Sequence, residues 1–280
     1  MELIYKLIDL LPFEWTEYNF MKNALIGVIL ITPLLGLLGT MVVNNKMSFF
    51  SDALGHSALT GIAIGVLLGI DNYIVSMMGF AIIFAILISC VIESGNSSSD
   101  TIIGVFSSIG ISLGIVLLSF SGGFSKYSSY LIGDILSIKT SELNLLFITL
   151  IIVIVIWIVA FNKLMLSSIN SDLASSKHCN VRFYNNLFMI LIAIVVTVSI
   201  KWIGVLMINS LLVLPAASSR NIARNMKEYH IFSILFSLIS GISGLFISFY
   251  AGTTAAGTIV LISAVIFFAT FFLNRCRHLN

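Results

Sequence analysis

Two residues in the stretch FFSDALGHSALTGIAIGVLLG, residues 49–69, carry side chains that bind metal ions: Asp52 and His56. On a helix the i, i+4 spacing puts both on one face, one turn apart. A carboxylate oxygen beside an imidazole nitrogen suits Mn²⁺, Fe²⁺ or Zn²⁺. The same spacing also suits a plain Asp–His hydrogen bond that satisfies two polar groups inside an apolar helix, and spacing alone leaves both readings open. Two ligands do not complete an ion site, so further ones must come from another segment, from water or from a second copy of the chain. Ser57 follows His56, but neighbouring helical residues point about 100° apart and cannot form a nucleophile–base pair. No GxSxG motif is present, so hydrolase chemistry is not expected.

The remaining ionisable residues read as structural. Asp100, in SSSDTIIG, is placed to cap a helix, and Glu93 and Glu142 are expected in solvent at the ends of apolar runs. Lys201-Trp202 reads as an interfacial anchor. His178, His230 and His278 fall in polar connections or the tail and are expected to be solvated. Cys90, Cys179 and Cys276 are isolated, without a CxxC pair.

The segments that position these residues are apolar throughout. Hydrophobic residues make up 59% of the 280, charged residues 9%, and the mean hydropathy is +1.10. Soluble domains carry about 25% charged residues, so the class is an all-α polytopic membrane protein. The runs are continuous, unlike the alternating segments of a β-barrel. Apolar runs fall at about 21–43, 50–70, 72–92, 101–120, 143–161, 186–200, 202–217, 231–250 and 254–273. The sixth and seventh abut at Lys201-Trp202, giving nine transmembrane helices if they form a hairpin and eight if they form one broken crossing.

Basic residues orient the chain. With nine spans and an inner C-terminus, Lys46, Lys163, Lys177, Arg182, Arg220, Arg224, Lys227, Arg275 and Arg277 share the cytoplasmic side, against Lys6, Lys22, Lys126, Lys139 and Lys201 outside. Residues 1–20 are expected to lie on the outer face as an interfacial segment, with Phe13, Trp15, Tyr18 and Phe20 at headgroup depth. Residues 21–280 form a single transmembrane domain. Its longest inner connection, about 162–185, can form a short surface helix from Asn170 or Ser171, with Asp172 near its positive end. Within 49–69, Ala53, Ser57, Gly61, Gly65 and Gly69 form a ridge of small residues suited to close helix packing. There is no phosphate-binding loop and no dinucleotide fingerprint, so any ATP would have to be used by another chain.

Four stretches together resemble the permease subunits of ABC-type zinc and manganese importers: SDALGHSALTGIAIG, DTIIGVFSSIGISLGIVLLS (100–119), YLIGDILSI (130–138) and IGVLMINSLLVLPAASSR (203–220). They occur in the family's order and cover most of the chain from Leu35 onward. The resemblance implies a fold similar to that of cobalamin and siderophore importer permeases, with one fewer span. It implies a homodimer in the lipid of a bacterial plasma membrane, two cytoplasmic ABC ATPase subunits, an extracellular metal-binding lipoprotein, and no nucleic-acid partner. The chain would be a transport subunit rather than an enzyme, without a permanently bound cofactor, its cargo being Mn²⁺ or Zn²⁺. The family's intramembrane metal ligands carry over onto Asp52 and His56, and its ATPase-coupling element onto 162–185. The coupling loop reads NSDLASSKHC here, without the family's terminating glycine, and YAGTTAAGTIVL opens the last span without the family's acidic residue and proline. A proton-coupled secondary metal transporter is the alternative.

Overall fold

The computed structural model describes residue 5 and residues 14–95, 97–120, 133–169, 171–177 and 179–278. The predicted YLIGDILSI signature lies partly outside these residues. All regular structure among them is helical: α1 Asn19–Asn44, α2 Phe50–Leu67, α3 Tyr73–Glu93, α4 Ser99–Phe120, α5 Thr140–Ile169, α6 Ser171–Ser176, α7 Val181–Ile203, α8 Val205–Ile222, α9 Met226–Ala251 and α10 Ala255–His278. Short 3₁₀ turns span Glu14–Glu17 and Ile135–Ser137. Eight of the helices are long and apolar enough to cross a membrane.

The chain reverses between α7 and α8. Gly204 joins them with φ 78° and ψ 159°, a backbone that a residue with a Cβ adopts poorly. The start of α7 (Asn185, Phe188, Met189) lies beside Asn45 and Met47 at the end of α1, and the end of α8 (Arg220) lies beside Asn44. Both helices therefore reach the same end of the bundle, and 181–222 is a pair of helices rather than one broken crossing. The basic residues Lys46, Arg182, Arg220, Arg224 and Lys227 gather at that end, as the sequence partition expected.

α2 and α1 form the buried centre. α2 packs between α3 and α4, and α1 packs on α5, α8 and α9. The small-residue ridge works as a packing face. A Cβ on Gly61 would sit 2.8 Å from the Met77 Cα, and one on Gly65 2.7 Å from the Ser76 Oγ, so α3 lies directly on α2. On α2's other side Thr60 donates to the Gly110 carbonyl of α4 at 2.5 Å, and Ser57 lies against Gly110. Along α1 and α9, Ser233 donates to the Gly36 carbonyl (2.6 Å), Ser237 to Thr32 (2.7 Å) and Tyr229 to Thr40 (3.2 Å).

The expected short helix is present as α6, between an α5 that continues to Ile169 and an α7 that begins at Val181, where the Asn180 side chain accepts from the Phe183 amide. Asn170 and His178 lie outside the described residues. Most of the N-terminal segment, Phe13 included, also lies outside them. Trp15 is buried, with its ring 5.0 Å from that of Phe246, because α9 offers an apolar aromatic surface there.

Candidate metal site and its surroundings

Asp52 and His56 sit in the first two turns of α2. Between residues 50 and 63 every residue is buried except these two, whose side chains are 32% and 28% exposed. The sequence places small or apolar residues on the other faces, so the helix sinks into the bundle and leaves this stripe open. Asp52 lies in the first turn, where the helix dipole favours a negative charge. The His56 Nε2 lies 3.4 Å from the Asp52 Oδ2. The His56 Nδ1 is buried and finds no hydrogen-bond partner among the described residues. The pair therefore leaves polar capacity unused.

Asp52 opens onto a cavity of about 450 Å³ between α2 and α4, lined by Phe49, Asp100, Thr101, Gly104, Ser107 and Ser108. Asp100 does not cap α4 as the sequence suggested. Ser98 holds that place, its Oγ accepting from the Thr101 amide at 3.3 Å, and Asp100 falls in the first turn facing the cavity. Among the described residues no group of three or more His, Cys, Asp or Glu side chains could hold a metal ion. One chain thus brings together two side chains of metal-ligating type, with hydroxyls and a carboxylate farther along the cavity that Asp52 lines.

Four other expectations need correction. Glu142 is not solvated: it pairs with Lys201 and accepts from the Trp202 Nε1 at 2.9 Å and the Lys139 amide at 3.0 Å. Trp202 is fully buried, so Lys201-Trp202 is a tie between α7 and α5 rather than an interfacial anchor. Glu93 pairs with Arg182 at 2.8 Å, which fixes the end of α3 to the start of α7. His230 lies in α9, buried against Trp157 and Phe161 of α5, its Nδ1 2.6 Å from the Met226 carbonyl. His278 ends α10.

The sequence reading missed Asn209. Its Oδ1 accepts from the Ser51 hydroxyl at 2.8 Å, joining α8 to the residue before Asp52. A lone amide within the apolar run 202–217 was the available signal.

Residues 17–274 match the model of the family described as ABC 3 transport family. The chain is 30% identical over 257 residues to the manganese import system permease protein ScaB of Streptococcus gordonii, covering 92% of each chain. It is 32% identical to the high-affinity zinc uptake system membrane protein ZnuB of Haemophilus influenzae, over 91% of this chain and 98% of that relative. Among solved structures it is similar to PsaBC from Streptococcus pneumoniae in complex with Fab, with a TM-score of 0.79 and 28% identity over 91% of this chain and 92% of the other.

Proposed function

The chain belongs to the ABC 3 transport family and is a multi-pass plasma-membrane protein, and from that premise we propose that it is the permease subunit of an ATP-driven importer for a divalent transition metal ion, Mn²⁺ or Zn²⁺. The relatives named for manganese and zinc transport support the cargo class. The observation that carries the reading is the open stripe on α2: on a helix otherwise buried between residues 50 and 63, a carboxylate and an imidazole alone face outward.

In this reading Asp52 and His56 hold the ion in passage. The ionised carboxylate supplies charge, and the neutral imidazole supplies a nitrogen lone pair. Structural zinc sites use about four protein ligands, so two ligands per chain hold an ion loosely or share it between two copies. Loose binding suits transport, because the ion must also leave. Two copies related by a twofold axis would bring two dyads to one pathway. Asp100, Thr101, Ser107 and Ser108 offer oxygen atoms farther along the cavity that Asp52 lines.

The chain hydrolyses no ATP in this proposal. Cytoplasmic ABC ATPase subunits dock at α6 and drive the change in access. An extracellular metal-binding lipoprotein delivers the ion at the opposite end, over part of 121–142. Vesicles containing the chain, the ATPase and the lipoprotein should take up Mn²⁺ or Zn²⁺ only when ATP is supplied. Uptake by this chain alone under a proton gradient would overturn the reading in favour of a secondary transporter. Deleting residues 171–178 should abolish copurification of the ATPase while the helical bundle still purifies. ATPase that stays bound to the deleted chain would refute docking at α6.

A further inference from the structure

The first turn of α2 has a weak start of its own. Phe49 occupies the cap position and makes no side-chain capping hydrogen bond among the described residues. Uncapped first turns leave backbone amides without partners and cost about 1 kcal/mol relative to a Ser, Thr, Asp or Asn cap. Asp52 sits in this turn. Contacts from outside the helix therefore bear on how firmly the Asp52–His56 spacing is kept.

The start of α8 is packed against that turn at two points. Ser51, the residue before Asp52, is buried and donates to the Asn209 Oδ1 at 2.8 Å. Gly55, the residue before His56, faces Val205: a Cβ on Gly55 would lie 2.5 and 2.8 Å from the two Val205 methyl carbons. The spacing 205 to 209 on α8 matches 55 to 51 on α2, so two antiparallel helices meet over one turn. Val205 directly follows Gly204, where α7 gives way to α8. The end of α7 is itself fixed by the Glu142 contacts to Lys201 and Trp202. Gly133 lies so close to Gly204 that a Cβ there would overlap backbone. The elbow is thus a held point, and it bears on the residues flanking both candidate ligands.

We propose that Asn209 and Val205 of α8 are positioning residues for the Asp52–His56 pair, with the Ser51–Asn209 hydrogen bond tethering the uncapped first turn to α8 and Val205 setting how far Gly55 can approach. This inference rests on the reading of Asp52 and His56 as ion ligands. Groups that orient ligands without touching the ion change metal affinity by about 10- to 100-fold when removed.

Co²⁺ titration of the detergent-solubilised chain, followed by visible absorption, tests it, since the band reports both affinity and coordination geometry. Asp52→Ala should abolish the band. Asn209→Ala should weaken Co²⁺ binding about tenfold and alter the band, with little change in melting temperature. Ser51→Ala should do the same, and the double variant should match either single one, because both remove one hydrogen bond. Val205→Ala should shift binding less, in the same direction. If Asn209→Ala does not assemble, Ser51→Ala decides alone. An unchanged band and affinity in Ser51→Ala and Asn209→Ala, with the band lost in Asp52→Ala, would overturn the positioning role and leave the ligand role standing. Equal Co²⁺ binding by the parent chain and Asp52→Ala would instead overturn the ligand reading itself.

Discussion

Two of the acid–base constellations among the described residues, Glu142 with Lys201 and Asp52 with His56, are finished very differently. Glu142 is saturated: one carboxylate oxygen meets Lys201, and the other accepts from Trp202 and the Lys139 amide. Asp52 and His56 make one 3.4 Å contact with each other, Asp52 lines a cavity, and the pair leaves a buried ring nitrogen unpaired among the described residues. Buried polar groups are normally satisfied because leaving them unpaired costs about 1–3 kcal/mol each. The saturated cluster is what structure alone requires. The unsaturated one keeps unused hydrogen-bonding and ligand capacity, as the proposed transit role of the pair would need.

The contrast can be broken by substitution. The largest effect should come from Asp52→Ala or His56→Ala, which should abolish metal uptake while expression and ATPase assembly survive. Normal uptake by both variants would put the pair on the same footing as Glu142. Glu142→Ala should act the other way. It strands Lys201 and Trp202 and should destabilise the fold by about 3 kcal/mol, read as a lower melting temperature of the solubilised chain, with uptake falling only as folded protein is lost. Uptake lost at unchanged melting temperature would show that this cluster also serves transport. The smallest effect tests the packing ridge. Gly61→Ala forces a Cβ to within 2.8 Å of the Met77 Cα and should cost about 1–3 kcal/mol of stability. Gly69→Ala, with nothing within 4 Å, should disturb packing less, though its φ of 69° adds local strain.

The sequence made the helices legible because each one needs an unbroken apolar run, but it left eight or nine crossings open at Lys201-Trp202, where the fold turns back at Gly204. The stripe of Asp52 and His56 was legible too, since local spacing alone puts it on one face. The ends of the helices were harder to place. α5 and α7 run past their apolar stretches, because a helix leaving the apolar layer continues as long as its side chains permit. His230 was misplaced into a connection although Asn225 and Glu228 signal a helix start just before it. There Glu228 donates its amide to the Asn225 Oδ1 (2.9 Å) and accepts from the Arg224 amide (2.9 Å), a reciprocal cap written in the sequence. The Glu142 cluster and the Ser51–Asn209 bond had no local signature. Their partners stand 59 and 158 residues apart, and only the folded bundle brings them together.

The seam between α1 and α9 has a mechanical consequence. Its three lateral hydrogen bonds, Ser233 to Gly36, Ser237 to Thr32 and Tyr229 to Thr40, recur at successive turns, and no solvent competes for their carbonyls in an apolar layer. Sliding one helix along the other breaks all three at once, while tilting both together breaks none. The pair therefore behaves as a keyed shaft, free to rock as one piece and locked against creeping. Relative movement is left to seams without such keys, and α4, which barely meets α3 and carries the far wall of the cavity beside Asp52, borders one of them.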